Sequence, residues 1–291
     1  MRDRIDPMIE ERAAWLFKDN IVSRNAHRLL NKVLGYDRTI ELSSELRDEP
    51  NDVIMRRMAD LIAKDVQVSG LENVPVEGPA LIVANHPTGI GDGIILWDAI
   101  TRRRQDPFIY ANSDILRFMP QMSTMICPVE WRLEKRSHAK TRETMAYTRK
   151  AIEQGRIGVI FPSGRLAKRR WLKLHEREWM ASAAMIARKW DLDVIPVNMR
   201  ARNSALFYLF DMIHPSLRDI TLFHETLNKD SQPFRLTFGR PIPAKSLSAN
   251  SNEAIEELKA ATLKLGGRHA PTVSLAEMTR RPRWVRSTLS A

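Results

Sequence analysis

The segment Leu81-Ile82-Val83-Ala84-Asn85-His86-Pro87-Thr88-Gly89-Ile90-Gly91-Asp92-Gly93 concentrates more potential chemistry than any other stretch of the chain. An apolar run of strand type enters a loop holding one histidine, three glycines and an aspartate, then passes into a stretch of helical type. Imidazole exchanges protons near neutral pH, so His86 can accept a proton from a hydroxyl if a partner fixes its tautomer and stabilises the imidazolium. Asp92 is the nearest carboxylate in sequence for that task. A second segment, Ile157-Gly158-Val159-Ile160-Phe161-Pro162-Ser163-Gly164-Arg165, is another apolar strand ending in a small-residue turn followed by a cation. The backbone N–H groups of that turn suit an oxyanion or a phosphate, and Arg165 adds permanent charge. A third, Asp193-Val194-Ile195-Pro196-Val197, is a strand with an internal proline, which belongs on a sheet edge or at a bulge.

Elements that would position these residues follow from the periodicity. Helical spacing runs from Ile9 to Leu34, Gly35 supplies a stop, and a second helical run covers 52–65. From about Val66 the texture changes to short β-rich runs at 81–84, 108–111, 123–127, 157–161, 194–197 and 235–238. Periodic segments at 137–154 and 179–190 alternate with them. Asn250, with Glu253 three residues later, opens a helix to about Leu265, where Gly266-Gly267 closes it. The expectation is an α/β fold, a mixed and largely parallel sheet flanked by helices, with an N-terminal helical segment. The divisions expected are 1–65 for that segment, 66–265 for the α/β domain and 266–291 for a basic C-terminal tail. Side chains that do chemistry in such folds gather at the loops leaving the carboxyl ends of strands.

Composition narrows the partners. The chain has 291 residues, 43% hydrophobic and 28% charged, which excludes wholesale disorder and allows a full core. Its single cysteine, Cys127, leaves no intramolecular disulfide and no paired-cysteine zinc site, and points to a reducing compartment. No apolar run approaches the roughly 18 to 20 residues of a spanning helix, and no secretory core follows Met1. The expected location is the cytoplasm, with peripheral contact at the cytoplasmic face of a membrane. An excess of 46 basic over 35 acidic residues, with 33 Arg against 13 Lys, favours anionic partners. Candidate docking clusters are Arg102-Arg103-Arg104, Arg169-Arg170-Trp171-Leu172-Lys173 and the Arg/Trp-rich tail.

In their order and separation, the three segments resemble the glycerolipid acyltransferase family, which includes 1-acylglycerol-3-phosphate and glycerol-3-phosphate acyltransferases. Asn85-His86 and Asp92 are similar to its Asn-His, four residues, Asp motif; Phe161-Pro162-Ser163-Gly164-Arg165 to its Phe-Pro-Glu-Gly-Thr-Arg motif; and Val194-Ile195-Pro196-Val197 to its Ile-Val-Pro-Val strand. Leu236-Thr237-Phe238-Gly239-Arg240-Pro241-Ile242 is similar to its closing strand and turn. There are departures: five residues separate His86 from Asp92, Ser163 stands where the family carries Glu, and Arg165 follows Gly164 directly. The resemblance implies acyl transfer from acyl-CoA or acyl carrier protein to a hydroxyl of a lysophospholipid or glycerol-3-phosphate. It also implies no cofactor or metal beyond that co-substrate. His86 and Asp92 would be the catalytic pair. Ser163, Gly164 and Arg165 would bind substrate, the backbone around Gly164 serving as oxyanion site. The family's phosphate-binding arginine falls on Arg136 or Arg132, in the basic loop after the 123–127 strand.

Two other classes compete. Net positive charge suits a nucleic-acid-binding protein, but basic residues are spread along the chain with no zinc-finger spacing and no RNA-recognition aromatic signature, so no specific nucleic acid is expected. A hydrolase of lipid thioesters on a related fold is the other; the chain lacks a Gly-x-Ser-x-Gly elbow, and Cys127 lies in an apolar run.

Overall fold

A computed structural model gives the architecture and describes residues 1–130 and 137–279. Four helices come first: α1 (Arg2–Glu10), α2 (Ile21–Val33), α3 (Tyr36–Glu45) and α4 (Asn51–Ile62). Then follow β1 (Val66–Ser69), β2 (Ala80–Ala84), α5 (Ile90–Thr101), β3 (Phe108–Asn112), α6 (Asp114–Phe118), β4 (Ile126–Val129), α7 (His138–Glu153) and β5 (Ile157–Ile160). A hairpin of β6 (Lys168–Arg170) and β7 (Lys173–His175) leads to α8 (Ser182–Lys189) and β8 (Val194–Arg200). Short helices α9 (Ala205–Ile213), α10 (Pro215–Ile220) and α11 (Leu222–Leu227) precede β9 (Phe234–Phe238), α12 (Ser251–Lys264) and β10 (Thr272–Ser274).

Every residue of β2 and β5 is buried, as the unbroken apolar runs require of strands covered on both faces. The main sheet has the order β1-β9-β8-β2-β5-β3-β4; β8, β2, β5, β3 and β4 are parallel, while β9 and β1 run the other way. This is the mixed, largely parallel sheet that the alternation implies. Alternate residues of β2 face opposite layers. Ile82 and Ala84 join one apolar cluster with α4 and α5, and Leu81 and Val83 join another with α7, α8 and α12. Because β8, β2 and β5 are neighbours, their carboxyl ends bring the three chemistry-bearing segments to one rim.

N-terminal helices brace that rim from outside. Ala13 and Leu16 pack with Ile220 of α10, the Trp15 indole N–H donates to Ser216 Oγ at 3.0 Å, and the His224 ring contacts the Leu34 carbonyl. α11 in turn packs on α5. No helix among the described residues is long and apolar enough to cross a membrane.

Several boundaries differ from the sequence reading. The run 9–34 is not one helix: α1 ends at Glu10, a tight turn covers Ala14–Phe17, and Asn20 caps α2 by accepting from Ser23 N–H. Gly35 does end α2, in the left-handed region at φ +62°, but α3 begins at the next residue. The strand expected at 123–127 is Ile126–Val129, since Pro120–Thr124 wind into a 3₁₀ turn. Pro196 is not on an edge, because β8 lies inside the sheet; it sits at a bulge. Val197 pairs with Phe238 and Val194 with Ile242, so one extra residue stands on the β9 side where the proline offers no N–H. Asn250 caps α12 as expected, but Glu253 accepts from Ser248 Oγ rather than closing a capping box.

Candidate active site

β2 ends in Asn85, whose buried amide extends the sheet by one rung: its Nδ2 donates to the Met199 carbonyl at 2.9 Å and its Oδ1 accepts from Met199 N–H at 2.7 Å. This fixes the point from which His86 departs. The loop then turns through Gly89, whose φ of +108° is open to glycine and strained for any other residue. α5 starts immediately after it, which puts Asp92 in the first helical turn. The extra residue between His86 and Asp92 is absorbed in this loop.

Asp92 is fully buried and collects four donors. Thr88 N–H and Gly89 N–H reach Oδ2 at 2.8 and 3.0 Å, the Thr88 hydroxyl reaches Oδ1 at 2.5 Å, and His86 Nδ1 lies 2.9 Å from Oδ2. One carboxylate therefore caps the helix and orients the imidazole. The His86 ring stacks on Phe161 with centroids 4.4 Å apart, and its side chain stays 19% exposed. With Nδ1 turned to Asp92, Nε2 is the nitrogen available to a substrate, and no described residue bonds it.

The β5 exit closes the other side. Ser163 is buried and donates its hydroxyl to the Arg165 carbonyl at 2.8 Å. Gly164 N–H donates to the Phe161 carbonyl at 2.9 Å, so this amide closes the turn instead of facing a substrate. Arg165 is exposed beside them. Ala167 N–H donates to the His86 carbonyl at 2.8 Å and Pro162 accepts from Met180 N–H, which ties the loops of β2 and β5 together. Arg132 and Arg136 lie outside the described residues. Cys127 is buried under α7 and burial pushes its thiol up to about 12, which removes it as a nucleophile. Arg102-Arg103-Arg104 is no free cluster: Arg104 is buried, paired with Asp106 and bonded to the carbonyls of Pro75, Gly78 and Gly155, while Arg102 pairs with Asp98.

Two groups escaped the sequence reading. Glu176, just past β7, accepts His86 N–H at 3.2 Å and the Trp179 indole N–H at 3.1 Å. Burial pushes its carboxyl above the usual glutamate range, and these hydrogen bonds offset only part of the effect. Such a group binds a proton more readily in the folded than in the unfolded chain, so its contribution to stability falls as pH rises through the range between the two values. Melting curves of the parent and Glu176→Gln at pH 7 and about pH 5 are expected to show the difference moving in the parent's favour at the lower pH. The other group is the buried pair Lys229 and Glu225, 3.0 Å apart, with Asn203 Oδ1 accepting from Lys229 Nζ at 2.6 Å.

Residues 65–200 match the protein-family profile described as Acyltransferase. The chain thus resembles the glycerolipid acyltransferases over this span, and it is an acyltransferase. Two curated relatives, both named lyso-glycine lipid O-acyltransferase, are each 24% identical to it. The one from Phocaeicola vulgatus aligns over 74% of this chain and 78% of its own, and the one from Bacteroides thetaiotaomicron over 77% and 83%. Among solved structures, the 1-acyl-sn-glycerophosphate (LPA) acyltransferase PlsC from Thermotoga maritima aligns over 91% of this chain and 97% of its own, with TM-score 0.46 and 13% identity.

Proposed function

We propose that the protein moves a fatty acyl group from a thioester, acyl-CoA or acyl carrier protein, to a hydroxyl of a lysolipid, with His86 as general base. The observation that carries this reading is the 2.9 Å contact of His86 Nδ1 with a buried carboxylate, which leaves Nε2 free to take a proton. Nε2 takes the acceptor's proton as its oxygen attacks the thioester carbonyl. The carbon–sulfur bond then breaks and the imidazolium returns the proton to the departing thiolate. No covalent enzyme intermediate is required. General-base help is typically worth about 10²- to 10⁴-fold, and holding donor and acceptor in line contributes roughly 7 to 11 kcal/mol more. The names of the two relatives favour a lysolipid over glycerol-3-phosphate as acceptor. The protein reaches that lipid by peripheral contact with an anionic membrane surface.

The test is product analysis by mass spectrometry after incubating purified protein with acyl-CoA or acyl carrier protein and a panel of lyso-glycine lipid, lysophosphatidic acid and glycerol-3-phosphate. An acceptor heavier by one acyl group is expected from a lysolipid. Free fatty acid with no acylated acceptor would transfer the reading to a thioester hydrolase.

A further inference from the structure

We infer that the tip of the β6–β7 hairpin and the outer face of α9 form one docking surface for an anionic phospholipid bilayer, set beside the catalytic loop. This rests on the acyltransferase reading above for its purpose, though not for its geometry.

Trp171 and Leu172 form the hairpin turn and are 91% and 68% exposed, Trp171 with a left-handed φ of 54°. α9 buries Phe207 and Tyr208 against Leu174 and turns Met212 and Ile213 outward, 69% and 61% exposed. The two pieces are tied: the Arg169 guanidinium lies over the Tyr208 ring at 5.7 Å and its Nη2 donates to Met212 Sδ at 2.7 Å. An exposed Trp beside Leu, Met and Ile is poorly matched to water and well matched to the interface of a bilayer, where indole has one apolar side and one wet side.

Charge selects the kind of surface. Lys168, Arg169, Arg170 and Lys173 surround the tip, and none is in an ion pair among the described residues. Their field is felt locally: burial, then Arg170 and Lys173, hold His175 below its ordinary value. Among the described residues this basic cluster keeps its four cations out of ion pairs, whereas Arg102 and Arg104 are each paired with an aspartate. An acidic protein partner would answer the four cations but not the exposed Trp, Leu, Met and Ile, so a bilayer fits both halves of the patch. α2 also exposes Ile21, Val22 and Leu29, but the hairpin alone grows straight out of the site. Ala167, next to Lys168, donates to the His86 carbonyl, and a Cβ on Gly89 would stand 3.2 Å from Leu166. A lipid surface held by the hairpin would thus present its lysolipid within reach of His86.

Cosedimentation of the full chain with phosphatidylcholine vesicles, with and without phosphatidylglycerol, tests the surface. The parent is expected to pellet with the anionic vesicles. Trp171→Asn/Leu172→Ser, which keeps a residue suited to the left-handed turn, is expected to weaken binding tenfold or more. Arg170→Gln/Lys173→Gln, which leaves the Arg169 tie to α9 in place, should weaken it by roughly 25-fold, about fivefold per charge, and only on anionic vesicles. In parallel, transfer to a monomeric short-chain lysolipid without vesicles should be unchanged in Trp171→Asn/Leu172→Ser. Undiminished binding by either variant overturns the proposal. So does a parent that ignores vesicles but is retained by acyl carrier protein or by a second copy of itself through these residues. If no acceptor is acylated yet binding maps to the hairpin, the function reading fails and the docking surface stands.

Discussion

His86→Ala is expected to lower acyl transfer by about 10²- to 10⁴-fold while leaving the fold in place. The ring is partly exposed, and its loss removes one of four donors to Asp92 and one stacking partner of Phe161. Asp92→Asn should slow transfer comparably, because a carboxamide can neither stabilise the imidazolium nor hold the tautomer that leaves Nε2 free; loss of an orienting carboxylate in a hydrolytic triad is known to cost about 10⁴-fold. The two variants part company in stability. Asp92 also accepts Thr88 N–H, the Thr88 hydroxyl and Gly89 N–H, and an asparagine would present an NH₂ group to one set of these donors. Each buried donor left unpaired costs about 1 to 3 kcal/mol, so Asp92→Asn should melt several degrees lower than His86→Ala. Steady-state transfer assays and thermal melts on both variants read the two effects separately. Parental turnover in His86→Ala would end the general-base assignment, and an unshifted melt in Asp92→Asn would end the helix-capping role of the carboxylate.

What could be read from the sequence is what is encoded locally. β2 and β5 announce themselves as apolar runs because both faces are covered, and the loops after them hold His86, Asp92 and Ser163 within a few positions of the strand ends. α7 is legible through its periodicity and α12 through its cap, Asn250, which accepts a backbone N–H of the first turn. Strand β4 was misplaced because Pro128 masks it; the proline is tolerated since β4 is the last strand of the sheet. α3 was missed because a glycine stop can begin the next helix as well as end the last. Glu176 lies ninety positions from the amide that it accepts. No spacing rule reaches that far, and its role exists only once β2, β5 and β7 are assembled. Lys229 and Glu225 did have a signal, an acid and a base four apart on a helical run, but such pairs normally lie on a solvated face.

Burial makes that pair the site of the second large effect. Lys229 and Glu225 are fully enclosed; Glu225 also accepts Ser204 N–H at 2.8 Å and the Ser204 hydroxyl at 2.5 Å. Burial works against the Glu225 carboxylate, but Lys229 and Ser204 outweigh it and hold the group below the usual range. Burial likewise pulls Lys229 down, and the carboxylates of Glu225 and Asp92 oppose that pull. The lysine stem runs against the first turn of α5, so close that a Cβ on Gly91 would stand 3.3 Å from its Cγ. Lys229→Met keeps the stem and removes the charge, leaving Glu225 buried without its cation. Breaking a buried pair in this way costs about 3 to 5 kcal/mol, which for a chain of this size is a fall of roughly 6 to 10 °C in melting temperature. Lys229→Met/Glu225→Gln should recover more than half of the loss, because no unpaired charge remains. The pH dependence has a definite sign. In the parent, a carboxylate held low contributes stability above the ordinary glutamate value and loses it as pH falls through its own. In Lys229→Met the same carboxylate relieves its burial by taking up a proton. The gap between parent and variant should therefore be widest near neutral pH and narrow toward about pH 5. A single variant as stable as the parent, or a double variant no better than the single one, would mean that the ammonium does not balance the charge on Glu225.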